Sequence, residues 1–346
     1  MGLFRKVFCL MIIFPAIHLL PGNYCYGQLS WKINGEMGFF RSAVTGLNED
    51  RDILSRLDAQ LKYKYQYENR EASLNLRVRP ELYGFDNALS TIKLKASGSY
   101  IQDEENLSWG FNLSTQRQTF NENSGSYYYE NFILEGILSF FADSLPLSIR
   151  PGYGYQLQNS NPEQDMDIIF VDAGINHYFS SYFEMEYGLY GEYFNIKNRY
   201  ELWSTKAENT GRGWRIGPQL GLKYLKDFII DCSYRFIIHN SRETRFLSYE
   251  HQIRLLAGKV ILPRFSALLL IDYYLRNFRI KNAEGVKLTY DYTPINTENN
   301  IYFKLGYDIK DNIEIYTRYG YSKENLFNRD FSLNGWSLLI GIELSN

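Results

Sequence analysis

The feature that most constrains this chain is a two-residue alternation of apolar and polar side chains that recurs along almost its whole length. Leu57, Ala59, Leu61, Tyr63, Tyr65 and Tyr67 alternate with Asp58, Gln60, Lys62, Lys64 and Gln66. After the polar turn ENRE the pattern resumes, with Ala72, Leu74, Leu76 and Val78 set against Ser73, Asn75, Arg77 and Arg79. It runs through Trp31, Ile33, Met37 and Phe39 near the start. In the closing GWSLLIGIEL it puts Trp336, Leu338, Ile340 and Ile342 on one face. A strand turns successive side chains to opposite faces, so these runs are strands. About sixteen segments carry the pattern, from 30–43 to 333–345, and a count of fourteen stays open.

The connections add a second regularity. Turns after even-numbered strands are tight, as in ENRE, DEEN, ADS, FSS and LPR. Those after odd-numbered strands are longer and polar, as in QTFNENSGS, QNSNPEQDM and IKNRYELWSTKAENTGR. Short turns at one end and long loops at the other belong to an up-and-down antiparallel transmembrane barrel, and a soluble sandwich has no use for that asymmetry. The strands also run to about ten residues or more, beyond the usual globular length. Aromatic residues crowd the ends of the apolar face, Tyr63, Tyr65 and Tyr67 in one strand and Tyr319 and Tyr321 in another. Such rings suit the headgroup depth of a bilayer. The Leu-Ala-Tyr face is therefore expected to meet lipid, and the Lys-Arg face to line an interior.

The first residues address the compartment. Arg5 and Lys6 precede an apolar run from Val7 to Leu20, and the segment PGNYCYG follows. This is the order of a secretory signal peptide, with cleavage expected after Gly27. Residues 1–27 are read as the signal and 28–346 as one barrel domain. Removal of the signal takes Cys9 and Cys25 with it and leaves Cys232 alone, so no internal disulfide is expected. The near balance of 37 basic and 39 acidic residues implies no general affinity for nucleic acid. The 30 Tyr and 23 Phe favour strands and interfaces.

In these patterned strands, this loop asymmetry and this tyrosine content, the chain resembles the outer-membrane β-barrel proteins of Gram-negative bacteria, in the Tyr- and Asn-rich style of Bacteroidota-like species. The resemblance implies a cell outer-membrane location, contact with lipid and lipopolysaccharide, and insertion by the outer-membrane assembly machinery. Such barrels usually finish on an aromatic residue, whereas this sequence finishes IELSN.

Parity assigns charges to the interior. Arg56, Lys62, Lys64, Arg77, Arg79, Lys93 and Lys95 come from the second to fourth strands, and Glu184, Glu186 and Glu192 from the ninth. A basic wall facing an acidic one would set a field across the lumen that orients dipolar solutes. Local pairing of Lys62 or Arg79 with Asp58 or Glu81 is the alternative. Ile229, Ile237, Leu256, Leu268 and Leu270 have inward parity and apolar neighbours, so that sector is expected either to pack against a loop or to offer an apolar wall to a solute.

Catalytic signals are sparse. His251 lies in LSYEHQ but faces opposite to Ser248 and Glu250, and His177 and His239 read as interface or loop residues. Glu163, Asp165 and Asp167 read as solvated loop carboxylates rather than metal ligands. No enzymatic activity, cofactor or metal is expected. The expected function is a porin-like channel for small hydrophilic solutes. The alternative is a loop-closed barrel that serves as an envelope assembly, export or anchoring partner for polysaccharide or surface protein.

Overall fold

Inside a bilayer every backbone N–H and C=O needs a partner, and strands meet that demand only when the sheet closes on itself. The computed structural model describes residues 26–44, 50–84, 89–122, 125–142, 145–158, 166–196, 211–241, 248–277, 299–325 and 332–346. These form β1 (Tyr26–Val44), β2 (Asp50–Tyr67), β3 (Arg70–Tyr83), β4 (Leu89–Asp103), β5 (Leu107–Glu122), β6 (Gly125–Ala142), β7 (Leu145–Gln158) and β8 (Met166–Ser180). The second half comprises β9 (Phe183–Ile196), β10 (Gly211–Leu225), β11 (Ile229–Ser241), β12 (Ser248–Leu262), β13 (Phe265–Asn277), β14 (Asn300–Lys310), β15 (Ile313–Asn325) and β16 (Ser332–Ser345).

Each strand pairs antiparallel with its neighbours in sequence, and β1 closes on β16 from Lys32↔Ser345 to Val44↔Leu333. The result is a closed antiparallel barrel of sixteen strands, with no free edge.

The register settles which face is which. Leu61, Trp31 and Leu76 share a row across β2, β1 and β3 on the outside, while Gln60, Lys32 and Arg77 share the next row on the inside. On the outer face Phe39 is 72% exposed and Ile340 65%, so no protein covers them. An apolar surface of that extent is unfavourable in water, at about 25 cal/mol per Å², and fits hydrocarbon instead. Aromatic girdles mark both rims of the outer face. Near the short turns Tyr100 stacks on Phe111 at 5.9 Å. At the opposite end Tyr319 stacks on Trp336 at 5.3 Å.

The tight connections are turns such as 68–69, 181–182 and 263–264. Glu68 and Arg264 adopt φ of 49° and 69° there, the left-handed backbone that a tight reversal requires. One expected loop is corrected. QTFNENSGS is largely the paired ends of β5 and β6, with Phe120↔Tyr127 and Glu122↔Gly125 in register. Asn121 and Ser126 read as turn formers, but they pair with each other in the ladder. The long segment after β13 and the expected leader lie outside the described residues, apart from Tyr26 and Gly27, which begin β1.

On the inner wall two apolar clusters sit towards the loop end. Phe40, Leu54, Tyr83 and Leu339 form one, and Met166, Ile168 and Phe194 the other. The mid-barrel lumen between the two walls carries charge.

Candidate functional site

The inner wall is built by every second residue of each strand, so a run such as RVRPE in β3 delivers Arg77, Arg79 and Glu81 to the lumen in succession. Register places all ten charged residues singled out by parity on that inner face. Their partners give the wall its character.

Glu81 is fully buried among the basic residues. Arg56 Nε approaches it at 2.6 Å, Arg79 Nε at 3.2 Å and Lys93 Nζ at 3.6 Å. The hydroxyls of Tyr83 and Thr91 donate at 2.9 and 3.1 Å to Oε2, the oxygen that Lys93 also approaches. Arg56 also reaches Glu36 at 3.3 Å, and Glu36 in turn accepts from Arg318 at 2.6 Å and from the Tyr316 hydroxyl at 2.8 Å. The chain Lys93–Glu81–Arg56–Glu36–Arg318 thus passes across the closing seam from β4 to β15. Arg77 grips Asp58 through two hydrogen bonds of 2.8 and 2.5 Å. Such charge-assisted, forked contacts fix both side chains.

The opposite wall follows the same rule. Arg215, 1% exposed, pairs with Glu192 at 3.2 Å and with Glu250 through a forked contact. Tyr274 donates its hydroxyl to Glu250 at 2.6 Å, and His239 Nδ1 lies 2.6 Å from the same carboxylate. His239 is therefore a buried inner-wall residue, and its reading as an interface or loop residue is corrected. The polar HNSRET stretch after it suggested a strand end, but the strand continues to Ser241. Beside this block Arg235 donates to Asp172 at 2.8 Å and lies 3.9 Å over the Tyr190 ring. Arg150 pairs with Glu186 at 3.1 Å.

The simple picture of one basic wall and one acidic wall is thereby modified. Carboxylates are set into the basic sector and guanidiniums into the acidic one, which shortens the reach of any field across the lumen. What survives is an ordering by depth. A cavity of about 530 Å³ is lined by six cations, Arg56, Arg77, Arg79, Lys93, Arg254 and Arg318, and by only two carboxylates, Asp231 and Asp272. Glu81, Glu36 and Asp58 lie behind the cations rather than on the cavity surface. A second cavity of about 320 Å³ is mixed, with Glu135, Asp172 and Glu186 against Arg150, Arg235 and Arg254.

Of the residues singled out in the sequence, Arg56, Arg77, Arg79 and Lys93 line the first cavity and Glu186 the second. Lys62, Lys64, Lys95, Glu184 and Glu192 line neither. Lys64 pairs with Glu71 at 2.8 Å near the turn end, and Glu192 is covered by Arg215. Arg215, Arg235, Arg254 and Arg318 were missed, although their inward parity was available. The apolar inward residues divide: Ile237 is fully buried beside Glu250, while Leu256 and Leu270 line the larger cavity.

His251 faces outward and hydrogen-bonds the Tyr234 hydroxyl at 2.8 Å, away from Glu250. Asp167 lies in β8 and accepts from Tyr153 at 2.7 Å, while Glu163 and Asp165 fall outside the described residues. Cys232, on the outer face, is a free thiol.

No protein-family model and no curated protein matches the sequence. Among solved structures the chain is similar to Pseudomonas putida OprB, at 10% identity over 92% of this chain and 94% of that one, with a TM-score of 0.47. It is similar to a loop-deletion mutant of OmpT, an outer membrane protein of Vibrio cholerae, at 11% identity over 93% and 99% of the two chains, with a TM-score of 0.42. A mutant of the TodX monoaromatic hydrocarbon channel gives 9% identity over 92% and 90%, with a TM-score of 0.40. These are distant likenesses between barrels, and the solute named for one of them stays with that protein.

Proposed function

We propose that this chain is exported by its first 27 or so residues, inserted in the bacterial outer membrane among lipid and lipopolysaccharide, and acts there as a porin-like channel for small hydrophilic solutes. The observation that carries this reading is the larger mid-barrel cavity. It is bordered by inner-wall residues from β2–β4 on one side and β11–β15 on the other, and its lining is dominated by cationic side chains. Sixteen-stranded barrels are wide enough to leave water inside, and a volume near 530 Å³ falls in the range that accommodates small molecules. Cations on the cavity surface, with carboxylates behind them, favour anions over cations in transit.

The purified protein in planar bilayers tests the reading. It should conduct, and a salt gradient should give a reversal potential on the anion side. Arg77→Glu together with Arg254→Glu should shift that potential towards cations, because these two side chains are the most exposed of the cavity's cations. A wild type without conductance would sink the channel. The second reading, a closed barrel serving as an assembly or anchoring partner, draws on the packed block around Arg215, which fills its sector of the lumen with paired side chains. Absence of current from a folded barrel would favour it.

A further inference from the structure

We infer that the inner wall formed by β10–β13 holds a site for an α-amino acid with an apolar side chain. The inference rests on the channel reading above and names its solute class. One inward row runs Glu184, Lys223, Asp231, Leu256 and Leu270 across β9 to β13. Asp231, Leu256 and Leu270 border the larger cavity, and Lys223 stands exposed beside them. Lys223 and Asp231 face each other in register and are both exposed. Among the described residues no salt bridge or hydrogen bond occupies either group. Glu184, on the other side of Lys223, lies beside the Tyr178 hydroxyl. The arginines of the cavity differ in this respect, being held by Asp58, Glu81, Glu36 and Asp272.

The charges in that row alternate negative, positive, negative. A lone ammonium is opposed by Lys223, and a lone carboxylate by Glu184 and Asp231. A zwitterion answers both signs. Its carboxylate takes Lys223 and its ammonium takes Asp231, on strands about 4.8 Å apart. An α-amino acid carries the two groups on a single carbon, from which its side chain departs. Asp231 adjoins Leu256, so that side chain has apolar surface within reach. The next inward row enlarges this surface, with Ile229, 48% exposed, followed by Gly258 and Leu268. Gly258 has no side chain, and a β-carbon there would meet a Leu268 methyl at 3.2 Å. The glycine therefore floors an apolar hollow bordered by Ile229, Leu256, Leu268 and Leu270. Such surface is unfavourable in water and is relieved when an aliphatic side chain covers it.

Block of the potassium chloride current at neutral pH by leucine, glycine, isocaproate and isoamylammonium tests this. The last two are leucine without its ammonium and leucine without its carboxylate. Leucine should block at least about tenfold more effectively than the other three, the scale of one charge-assisted contact or a few buried methylenes. Lys223→Gln should weaken the leucine block about tenfold, while block by isoamylammonium does not fall. Asp231→Asn should likewise weaken leucine, while block by isocaproate does not fall. Ile229→Ser with Leu256→Ser should bring leucine down to the level of glycine. Equal block by leucine and glycine, or by leucine and either truncated form, overturns the inference while the current itself upholds the channel. If no current is seen, equilibrium dialysis of leucine against the barrel in nanodiscs decides the site separately. Retention lost in Asp231→Asn supports it. Absent retention, or retention unchanged in that variant, overturns it. Heat-modifiable gel mobility verifies that each variant is folded.

Discussion

The Tyr316 hydroxyl donates to Glu36 at 2.8 Å across Gly341, so that three strands, β15, β16 and β1, meet in one row at the seam of the barrel. A β-carbon at Gly341 would run into the Tyr316 ring. The glycine is there to let the ring lie flat over the strand and reach the carboxylate. Tyr316→Phe should lower stability by about 1–3 kcal/mol, since Glu36 loses a donor while remaining buried. Gly341→Val should cost at least as much, because it displaces the ring and overpacks the row. The temperature at which the folded band disappears on gels reports both. Wild-type behaviour of Gly341→Val would mean the seam is not packed as described.

Glu81 is the most heavily committed carboxylate of the inner wall. Glu81→Gln strands Arg56, Arg79 and Lys93 around a neutral amide, at a cost of about 3–5 kcal/mol. Glu71→Gln provides the contrast. Its pair with Lys64 is about 40% exposed on both sides, and such pairs contribute about 0–1 kcal/mol. Urea unfolding midpoints in the same lipid should separate the two variants clearly, and equal midpoints would show that Glu81 is solvated.

The faces of β2 are tested by adjacent residues. Leu61→Arg puts a charge into the hydrocarbon, at about 2–4 kcal/mol near the midplane. Gln60→Arg points inward, where it replaces a hydrogen bond of 2.8 Å to Asn75 and should be close to neutral. Folded yield after refolding into vesicles is the measurement. Equal yields would invert the assignment of the two faces.

Sidedness follows from the connections. Cysteines placed at Asn69 or Asp227, in the short turns, should resist an impermeant thiol reagent on whole cells. Cysteines at Ser160 or Thr205, in the longer segments, should react. The opposite result would turn the barrel over.

Much of this barrel was legible in the sequence because period two is a local property. Trp336, Leu338 and Ile340 declare their face without reference to any other strand. The ion pairs were legible only where partners are near neighbours, as with Arg79 and Glu81. Glu36 and Tyr316, 280 residues apart, meet only once the ring closes. His239 was misread because the polar residues after it suggested a strand end. Lys62, Arg77 and Lys93 looked equivalent by parity, yet Arg77 and Lys93 border the larger cavity, held there by Asp58 and Glu81, while Lys62 lines neither cavity. Depth behind the wall is set by packing of distant strands, and alternation carries no trace of it.

Alternation also leaves one error unopposed. A strand that slips by two residues keeps every apolar side chain on the lipid side, so the hydrophobic effect does not penalise it as it does a slip of one. At the seam, such a slip would bring Leu339 or Glu343 alongside Glu36 in place of Gly341. The first sets a leucine where the Tyr316 ring must pass, and the second sets two carboxylates side by side. The residues facing the lumen therefore proofread the closure: the Tyr316 ring opposes one slip of the last strand against the first, and like charge opposes the other.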